Sequence, residues 1–344
     1  MPYSSQFVQY SSADASHPVL VGNISGSLLA LLNACLITGY GSKPGAGWSK
    51  TGSVDPASGV AIPDSGSAGI FVQPTGSQAT LFVWDAAPLV CGTQQARATG
   101  YDAVINFTAS SPVTASVNSV NPFPTYAQAG GLAGVAAVGW RKSTNISATE
   151  RQWVMFADSS SMYLFILTGD AGGYSGCMFG DIFSIKSGSA DAYKCMIVGN
   201  IAEIVAGTVT NERLDALGAA NAVLTGHFIQ KSFTGGVTTS TAVGKHGDGI
   251  KGSATFMGLT GLIYPNTPDT GLYLSPIWVT ESTTNIVRGR MRGFYQICHP
   301  IASFSDGQII QGAGDFDGRT FYVIKPSFNA GMYCIETSNT LETN

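Results

Sequence analysis

The chain has very few charged residues for its length. Asp, Glu, Lys and Arg make up 11% of its 344 residues, against roughly 25% in an ordinary soluble domain. The 17 basic and 21 acidic residues give a net charge of −4, with no block of like charges. The sequence therefore lacks the basic surface that would attract a nucleic acid or an anionic membrane. It also leaves few groups for general acid–base chemistry.

A long apolar run is missing as well. The longest apolar stretch, Leu28–Ile37, is interrupted by Asn33 and is about half as long as a membrane span requires. The N-terminus, Met-Pro-Tyr-Ser-Ser, has neither the basic segment nor the apolar stretch of a secretory signal. We therefore expect a soluble protein that is not exported.

Cysteine and histidine are too widely scattered to indicate a metal or redox site. No two cysteines have the two-residue gap of a zinc knuckle or a redox motif, and their apolar neighbours predict reduced thiols buried in the core. No histidine lies three or four residues from a second ligand on one face. We therefore expect no cofactor and no metal. The residues concerned are Cys35, Cys91, Cys177, Cys195, Cys298 and Cys334, and His17, His227, His246 and His299.

Glycine, serine and threonine separate short apolar runs throughout the chain, and glycine alone occupies 43 positions. Strand-like runs at 69–73 and 79–84, for example, are joined by turn-forming residues at 74–77. Many such strands, with turn signals at intervals of about 8 to 12 residues, are typical of stacked antiparallel sheets. The sequence therefore predicts a mainly β fold of antiparallel sandwiches or barrels in two halves.

Two short helices interrupt the strand pattern. Residues 27–36 are apolar at nearly every position, and we predict a buried helix that Ser27 caps and Gly39 ends. A second helix is predicted over 211–217, with Asn211 as its cap. This second helix lies in the segment that connects the two halves.

Composition and pattern divide the chain into four parts. The first residues are polar and lack helical periodicity, which predicts an extended arm, and the segment around the second helix separates two strand-rich halves. The predicted division is an N-terminal arm over 1–24, an N-terminal β domain over 25–205, a linker over 206–221 and a C-terminal β domain over 222–344.

The sharpest local feature is a basic cluster in the C-terminal half. Strand alternation would place Arg288, Arg290 and Arg292 on one face, where their guanidinium groups could bind carboxylates of a neighbouring subunit in bidentate fashion. The alternative is a solvated strand edge whose charges discourage aggregation. Two further partner-binding candidates are Trp48, which follows a glycine-rich turn, and His246, which we place in a flexible loop.

No motif in the sequence indicates catalysis. The Gly172–Gly176 string does not match the Gly-x-Ser-x-Gly nucleophile elbow, and Asp315–Gly318 opens like a calcium loop but lacks the remaining ligands. We expect no catalytic residue. A glycosidase stays open as an alternative, because its two carboxylates meet only in space. A sugar-binding module with exposed aromatic residues such as Trp48 or Trp84 is a further alternative.

Several segments resemble a family of tailed-bacteriophage virion proteins. The most distinctive is the apolar stretch Ser27–Leu36, which runs into the glycine-rich stretch Gly39–Trp48. Further matching segments lie at 140–143, 148–158, 179–182, 271–279, 288–294 and 306–307, so the resemblance covers nearly the whole chain. Residues 49–68 and 295–305 depart from the family pattern, and these departures could change which neighbour is bound.

The resemblance implies a non-enzymatic structural component of a tailed-phage virion, assembled in the host cytoplasm. Within the particle we expect a capsid decoration or minor capsid protein that binds other virion proteins through neutral β-surfaces and the N-terminal arm. The alternative is a tail or baseplate protein that recognises host surface polysaccharide. The low-charge surface predicts a homo-oligomer, with a trimer as the expected state. We expect no nucleic-acid partner and no membrane insertion.

Overall fold

The computed structural model describes residues 7–50, 68–85, 95–102, 122–124, 137–143, 146–167, 174–185, 191–200, 225–236, 242–246, 274–281, 286–297, 304–325 and 332–338. Within these ranges the chain is mainly β with antiparallel sheets, as the sequence predicts. No helix in them is long and apolar enough to cross a membrane. The predicted linker and its helix lie outside the described residues.

One helix near the N-terminus packs against the sheets. Its α-helical part, α1, spans Ser27–Asn33 and continues as a π-helical segment over Ala34–Thr38. The helix ends at Gly39, as predicted. Gly39 has φ +76°, and a Cβ there would lie 2.3 Å from the carbonyl oxygen of Lys43. A side chain at this position would therefore clash with the following turn.

The start of α1 differs from the prediction that Ser27 caps it. The Ser27 hydroxyl donates to the carbonyl oxygen of Val21 (2.9 Å). The N–H of Leu28 instead donates to Oδ2 of Asp85, 57 residues away (2.9 Å). The Asp85 carboxylate, which directly follows β4, thus accepts a hydrogen bond from an N–H group that has no partner within the helix. Its negative charge also interacts favourably with the positive N-terminal end of the helix dipole.

Nineteen strands occur in the described residues. The first ten are β1 (Val8–Ser11), β2 (Ser49–Lys50), β3 (Ala68–Val72), β4 (Thr80–Trp84), β5 (Gln95–Tyr101), β6 (Pro122–Phe123), β7 (Val138–Arg141), β8 (Trp153–Ala157), β9 (Ser161–Leu167) and β10 (Tyr174–Asp181). The others are β11 (Phe183–Ser184), β12 (Cys195–Asn200), β13 (Thr225–Ile229), β14 (Ala242–His246), β15 (Leu274–Glu281), β16 (Ile286–Ile297), β17 (Ile309–Gln311), β18 (Thr320–Ile324) and β19 (Met332–Glu336).

The strands form two sheets. The larger has 12 strands in the order β1-β8-β9-β10-β12-β7-β5-β4-β3-β2, with β13 paired to β12 and β6 paired to β5. The smaller has seven strands in the order β14-β15-β16-β19-β18-β17, with β11 paired to β16. Two strands do not follow the predicted division into halves. β11 lies in the predicted N-terminal half but pairs with the smaller sheet, and β13 follows the predicted linker but pairs with the larger sheet.

The larger sheet is covered on both faces. On β8, Trp153 and Met155 belong to the core beneath α1, whereas Val154 and Phe156 belong to a second core. This alternation follows from the two-residue period of a strand. The second core also contains side chains of the smaller sheet, such as Phe294. The result is three layers, in which the larger sheet lies between the helix and the smaller sheet.

The described part of the predicted N-terminal arm is built into this arrangement. β1 pairs with β8 in the antiparallel sense, with Val8 opposite Ala157. Tyr10 and Leu20 are fully buried in the core beneath the helix. Residues 7–24 therefore form part of the folded chain, and the four-part domain division itself stays a prediction.

Most predicted strands that fall in the described ranges are present, with shifted ends. The hairpin of β3 and β4 is confirmed. The sequence also predicts a strand over 101–107, of which the described ranges contain only Tyr101, the last residue of β5, and Asp102. Cys35, Cys177, Cys195 and Cys334 are buried free thiols, as predicted. Cys91 and Cys298 lie outside the described residues.

Candidate functional site

The three arginines of the basic cluster do not form one exposed row, as alternation had predicted. The register between β15 and β16 shifts at this point, because Gly289 lies opposite Val279 but Val287 lies opposite Thr280. Arg288 is the extra residue in this shift. Such a bulge breaks the strict alternation of side chains along a strand.

Arg288 is buried among carboxylates of its own chain. Its Nε and Nη2 donate to the two oxygens of Asp191 (2.8 and 2.5 Å), and its Nη1 donates to Glu281. The guanidinium group is 1% exposed. Asp191 precedes β12, so this bidentate pair links the smaller sheet to a segment near the larger one. Hydrogen bonds from Arg288 and Ser184 hold the pKa of Asp191 below its usual value, against the effect of burial.

Arg292 makes a similar internal contact at another place. Its Nη2 lies 2.7 Å from Oδ2 of Asp158, and its Nη1 donates to the hydroxyl of Ser160. Both partners lie in the turn between β8 and β9. Arg290 is half-buried, and its guanidinium carbon lies 5.1 Å from the ring centre of Phe183. Two of the three predicted partner-binding arginines therefore bind carboxylates of this chain, in place of those of a neighbour.

Trp48 and His246 also differ from their predicted settings. Trp48 is 3% exposed, and its indole Nε1 donates to the carbonyl oxygen of Asp158 (2.6 Å). The turn before it holds Trp48 against the helix, with its N–H donating to Leu36 (3.0 Å). Trp48 is thus a core residue, so it does not supply the exposed aromatic surface that the sugar-binding alternative requires. His246 ends strand β14, opposite Ile277, so the prediction of a flexible loop at this residue is wrong.

Burial of charge is widespread. Twelve charged residues of the described ranges are buried: Asp85, Arg97, Arg141, Lys142, Arg151, Asp158, Asp181, Asp191, Glu281, Arg288, Arg292 and Glu336. Most contact residues far away in sequence, as Lys142 does with Asp85 (2.5 Å). Arg97 is the exception, because its three guanidinium nitrogens have no hydrogen-bond partner. A chain that is already poor in charge therefore carries much of it inside.

Two of these buried carboxyl groups have strongly shifted pKa values. Burial raises the pKa of Asp85 to about 6, although Lys142 opposes the shift. Burial also raises the pKa of Asp181 to about 7, against hydrogen bonds from Ser77 and the charge of Arg292. Both carboxyl groups are 1% exposed and take part in buried hydrogen-bond and ion-pair networks.

A groove of about 470 Å³ lies where the edge of the larger sheet meets the outer hairpin of the smaller one. Its lining combines carboxylates, hydroxyls and aromatic rings from both sheets. The larger sheet contributes Ser12, Glu150, Trp153 and Tyr174, and the smaller sheet contributes Asp306 and Tyr322. The volume lies within the range of about 300 to 1,000 Å³ found for small-ligand sites.

Asp306 is held in position on one side of this groove. Its Oδ2 accepts a hydrogen bond from the hydroxyl of Tyr174, and its Oδ1 accepts from the N–H of Lys325 (2.8 Å). Gly307 follows with φ +75°, and a Cβ there would lie 3.1 Å from the Tyr322 hydroxyl. Burial and the negative charge of Asp306 both raise the pKa of Tyr174 and of Tyr322. Both phenols therefore remain hydrogen-bond donors at neutral pH.

Glu150 also lines the groove. Its Oε1 lies 2.5 Å from Nε2 of His17. The other ring nitrogen of His17, Nδ1, lies 2.7 Å from the carbonyl oxygen of Asp14. These two contacts raise the pKa of His17, the Asp14 carbonyl having the larger effect. Glu150 is 41% exposed, so its second oxygen can reach a ligand.

Sequence reasoning missed the groove because its residues come from five separate segments. Glu150 and Asp306 are 156 positions apart and share no spacing motif. Among the described residues, no group of three or more His, Cys, Asp or Glu side chains could hold a metal ion. The carboxylates and hydroxyls of its lining suit the groove to hydrogen bonding with a polar ligand.

No protein-family model matches the chain, and no curated protein matches it. Function is therefore inferred from the geometry of the described residues together with the resemblance in the sequence.

Proposed function

We propose that this chain is a non-enzymatic structural component of a tailed-phage virion, with capsid decoration or minor capsid protein as its role. The observation that carries the proposal is the internal placement of charge. Twelve charged side chains of a charge-poor chain are buried, which leaves a surface with even less charge than the composition suggests.

A nearly neutral surface suits permanent protein contacts. The cores of protein interfaces are depleted in charged residues, because each buried charge must lose its water. A freely diffusing protein instead keeps abundant surface charge for solubility. Several apolar side chains are also exposed in the described ranges, among them Ile146 (71%) and Ile185 (57%). These features support assembly with virion proteins and with copies of the same chain.

The folded arm limits how such contacts form. Residues 7–24 are engaged with their own chain through β1, Tyr10 and Leu20. The proposed contacts therefore use sheet and loop surfaces of the folded protein, with a trimer as the proposed homo-oligomer.

The test locates the chain in purified phage particles. Mass spectrometry of intact particles, followed by gold-labelled antibody, is expected to find the chain on the capsid, and light scattering of the purified protein is expected to give a trimer. A monomeric protein that is absent from mature particles would overturn the proposal.

A second role is favoured by the groove. A tail or baseplate protein that recognises host surface polysaccharide needs a polar cleft with aromatic walls, and the groove between Glu150 and Asp306 has both properties. Antibody label at the tail tip, in place of the capsid, would select this role. Release of sugar fragments by the purified protein would contradict the non-enzymatic part of the proposal in either location.

A further inference from the structure

We infer that the groove between the two sheets binds a neutral saccharide of the host surface, with Asp306 and Glu150 accepting hydrogen bonds from its hydroxyl groups. This inference rests on the second proposed role, recognition of host surface polysaccharide, and it specifies both the site and the chemical class of the ligand.

The charge of the groove determines which saccharides fit. Its two carboxylates, Asp306 and Glu150, are exposed. The arginine in its lining, Arg151, is 6% exposed, and its Nε donates to the hydroxyl of Ser143 (3.0 Å). An acidic saccharide would therefore meet two exposed negative charges and a cation directed inward. A neutral saccharide meets acceptors that match its hydroxyl donors, and such bonds to ionised groups are strong.

The acceptors are fixed before a ligand arrives. Asp306 is held by the Tyr174 hydroxyl and by the Lys325 N–H, and Glu150 is held by His17. Each carboxylate uses part of its capacity in these contacts, and an ionised carboxyl group accepts about four hydrogen bonds. Preorganised acceptors of this kind reduce the entropy lost on binding.

Aromatic groups complete the wall. Tyr174 and Tyr322 border Asp306, and Tyr322 packs on Phe156 with ring centres 5.2 Å apart. Trp153 contributes to the lining as well, and its ring belongs to the core on the helix side of the larger sheet.

A peptide is a poorer match to this lining. Peptides are commonly bound by an open strand edge or by apolar pockets for alternate side chains. Ser12, Glu150 and Asp306 contribute hydroxyl and carboxylate groups to the lining. The several hydroxyls of a pyranose can donate hydrogen bonds to such groups.

The test applies the full chain to an array of neutral and acidic oligosaccharides, followed by calorimetric titration of the best binder. We expect binding to neutral members only. Asp306→Asn should weaken the affinity about tenfold or more, because a bond to a charged acceptor is lost, and Tyr322→Phe should weaken it several-fold. Asp315→Asn removes an exposed carboxylate in the 3-10 helix Gly314–Phe316, which lies between β17 and β18, and should leave the affinity unchanged.

The site is overturned if no neutral oligosaccharide binds, if acidic ones bind better, or if Asp306→Asn binds like the unaltered chain. Glu150→Gln provides a second variant should Asp306→Asn fail to fold, and it is expected to weaken binding in the same direction. Failure of the site leaves virion membership intact, because detection of the chain in particles is a separate measurement. Cleavage of a bound neutral glycan would keep the site and overturn the non-enzymatic role.

Discussion

Ion pairs occur both in the junction between the two sheets and at the groove, but they are buried in the junction and exposed at the groove. In the junction, Arg288 is 1% exposed and is surrounded by Asp191 and Glu281. At the groove, His17 and Glu150 form a pair that is 23% and 41% exposed. An interior pair is strongly coupled because little water screens it, whereas a surface pair is worth little. The exposure of a charged side chain to solvent therefore determines whether it links two parts of the fold or stays available to a ligand, as we propose for Glu150.

The largest expected effect tests the interior pair. Arg288→Met leaves Asp191 and Glu281 buried without their cation, and should lower the free energy of unfolding by about 3–5 kcal/mol, measured by urea denaturation. The matched control is Arg290→Met on the same strand, where the side chain is half-buried against Phe183. We expect this control to cost less than about 1 kcal/mol. Equal losses in the free energy of unfolding would contradict the conclusion that the buried Arg288 stabilises the fold more than the half-buried Arg290.

The next effect concerns the buried carboxyl of Asp181. Its Oδ2 lies 3.7 Å from Nζ of Lys194, and the charge of Arg292 also acts on it. Burial raises its pKa to about 7 in the folded protein, from an ordinary value of about 4. The folded state therefore binds this proton more tightly, so its contribution to stability is full below about pH 4 and is lost as the pH rises through about 7.

Asp181→Asn removes this titration. Relative to the unaltered chain, the variant should gain a few kcal/mol in free energy of unfolding between pH 4 and pH 8, measured by urea denaturation at each pH. Asp315→Asn changes an exposed carboxylate and serves as the control with an unchanged pH profile. Parallel profiles for Asp181→Asn and the unaltered chain would contradict the raised pKa.

A smaller effect separates a buried aromatic from an exposed one. Trp48→Phe removes the hydrogen bond to the Asp158 carbonyl and opens a small void in the core. It should cost about 1–3 kcal/mol in thermal or urea unfolding. Trp278, which is 37% exposed on β15, gives the control Trp278→Phe with a cost below about 0.5 kcal/mol. A smaller loss of unfolding free energy for Trp48→Phe than for Trp278→Phe would contradict the placement of Trp48 in the core.

The smallest effect belongs to the pair at the groove. The pKa of His17 is raised by the Asp14 carbonyl and by Glu150, so the stability it contributes is present at low pH and is lost as the pH rises through that pKa. His17→Gln should therefore cost less than about 1 kcal/mol at pH 5.5, and nothing measurable at pH 8. The cost at pH 5.5 should shrink in high salt. A cost that is independent of pH and salt would place His17 in the core.

Much of the fold could be predicted from the sequence. Short apolar runs joined by turn-forming residues located the hairpin of β3 and β4, and Gly39 located the end of the helix. The ends of strands such as β5 could not be predicted, because pairing with β4 and β7 decides where a strand stops. The cap of α1 was also missed, because Asp85 reaches it from 57 positions away.

The candidate site was much less predictable. The spacing of Arg288, Arg290 and Arg292 predicted one shared face, but a register shift against β15 redirected Arg288 inward. Trp48 was named as a partner-binding candidate, but the fold buries it against the helix, where its backbone N–H donates to the carbonyl oxygen of Leu36. Asp306 and Glu150 carried no local signal, because a groove exists only after two sheets pack.

The sequence by itself determined the mainly β class, the low charge and the positions of the turns, because each depends on composition or on neighbours a few residues away. Tertiary structure alone decided which charges are buried, how the three arginines divide between interior and surface, and where a groove opens. These properties depend on contacts between residues far apart in the sequence, such as the 97 positions between Asp191 and Arg288, and on the water that packing removes.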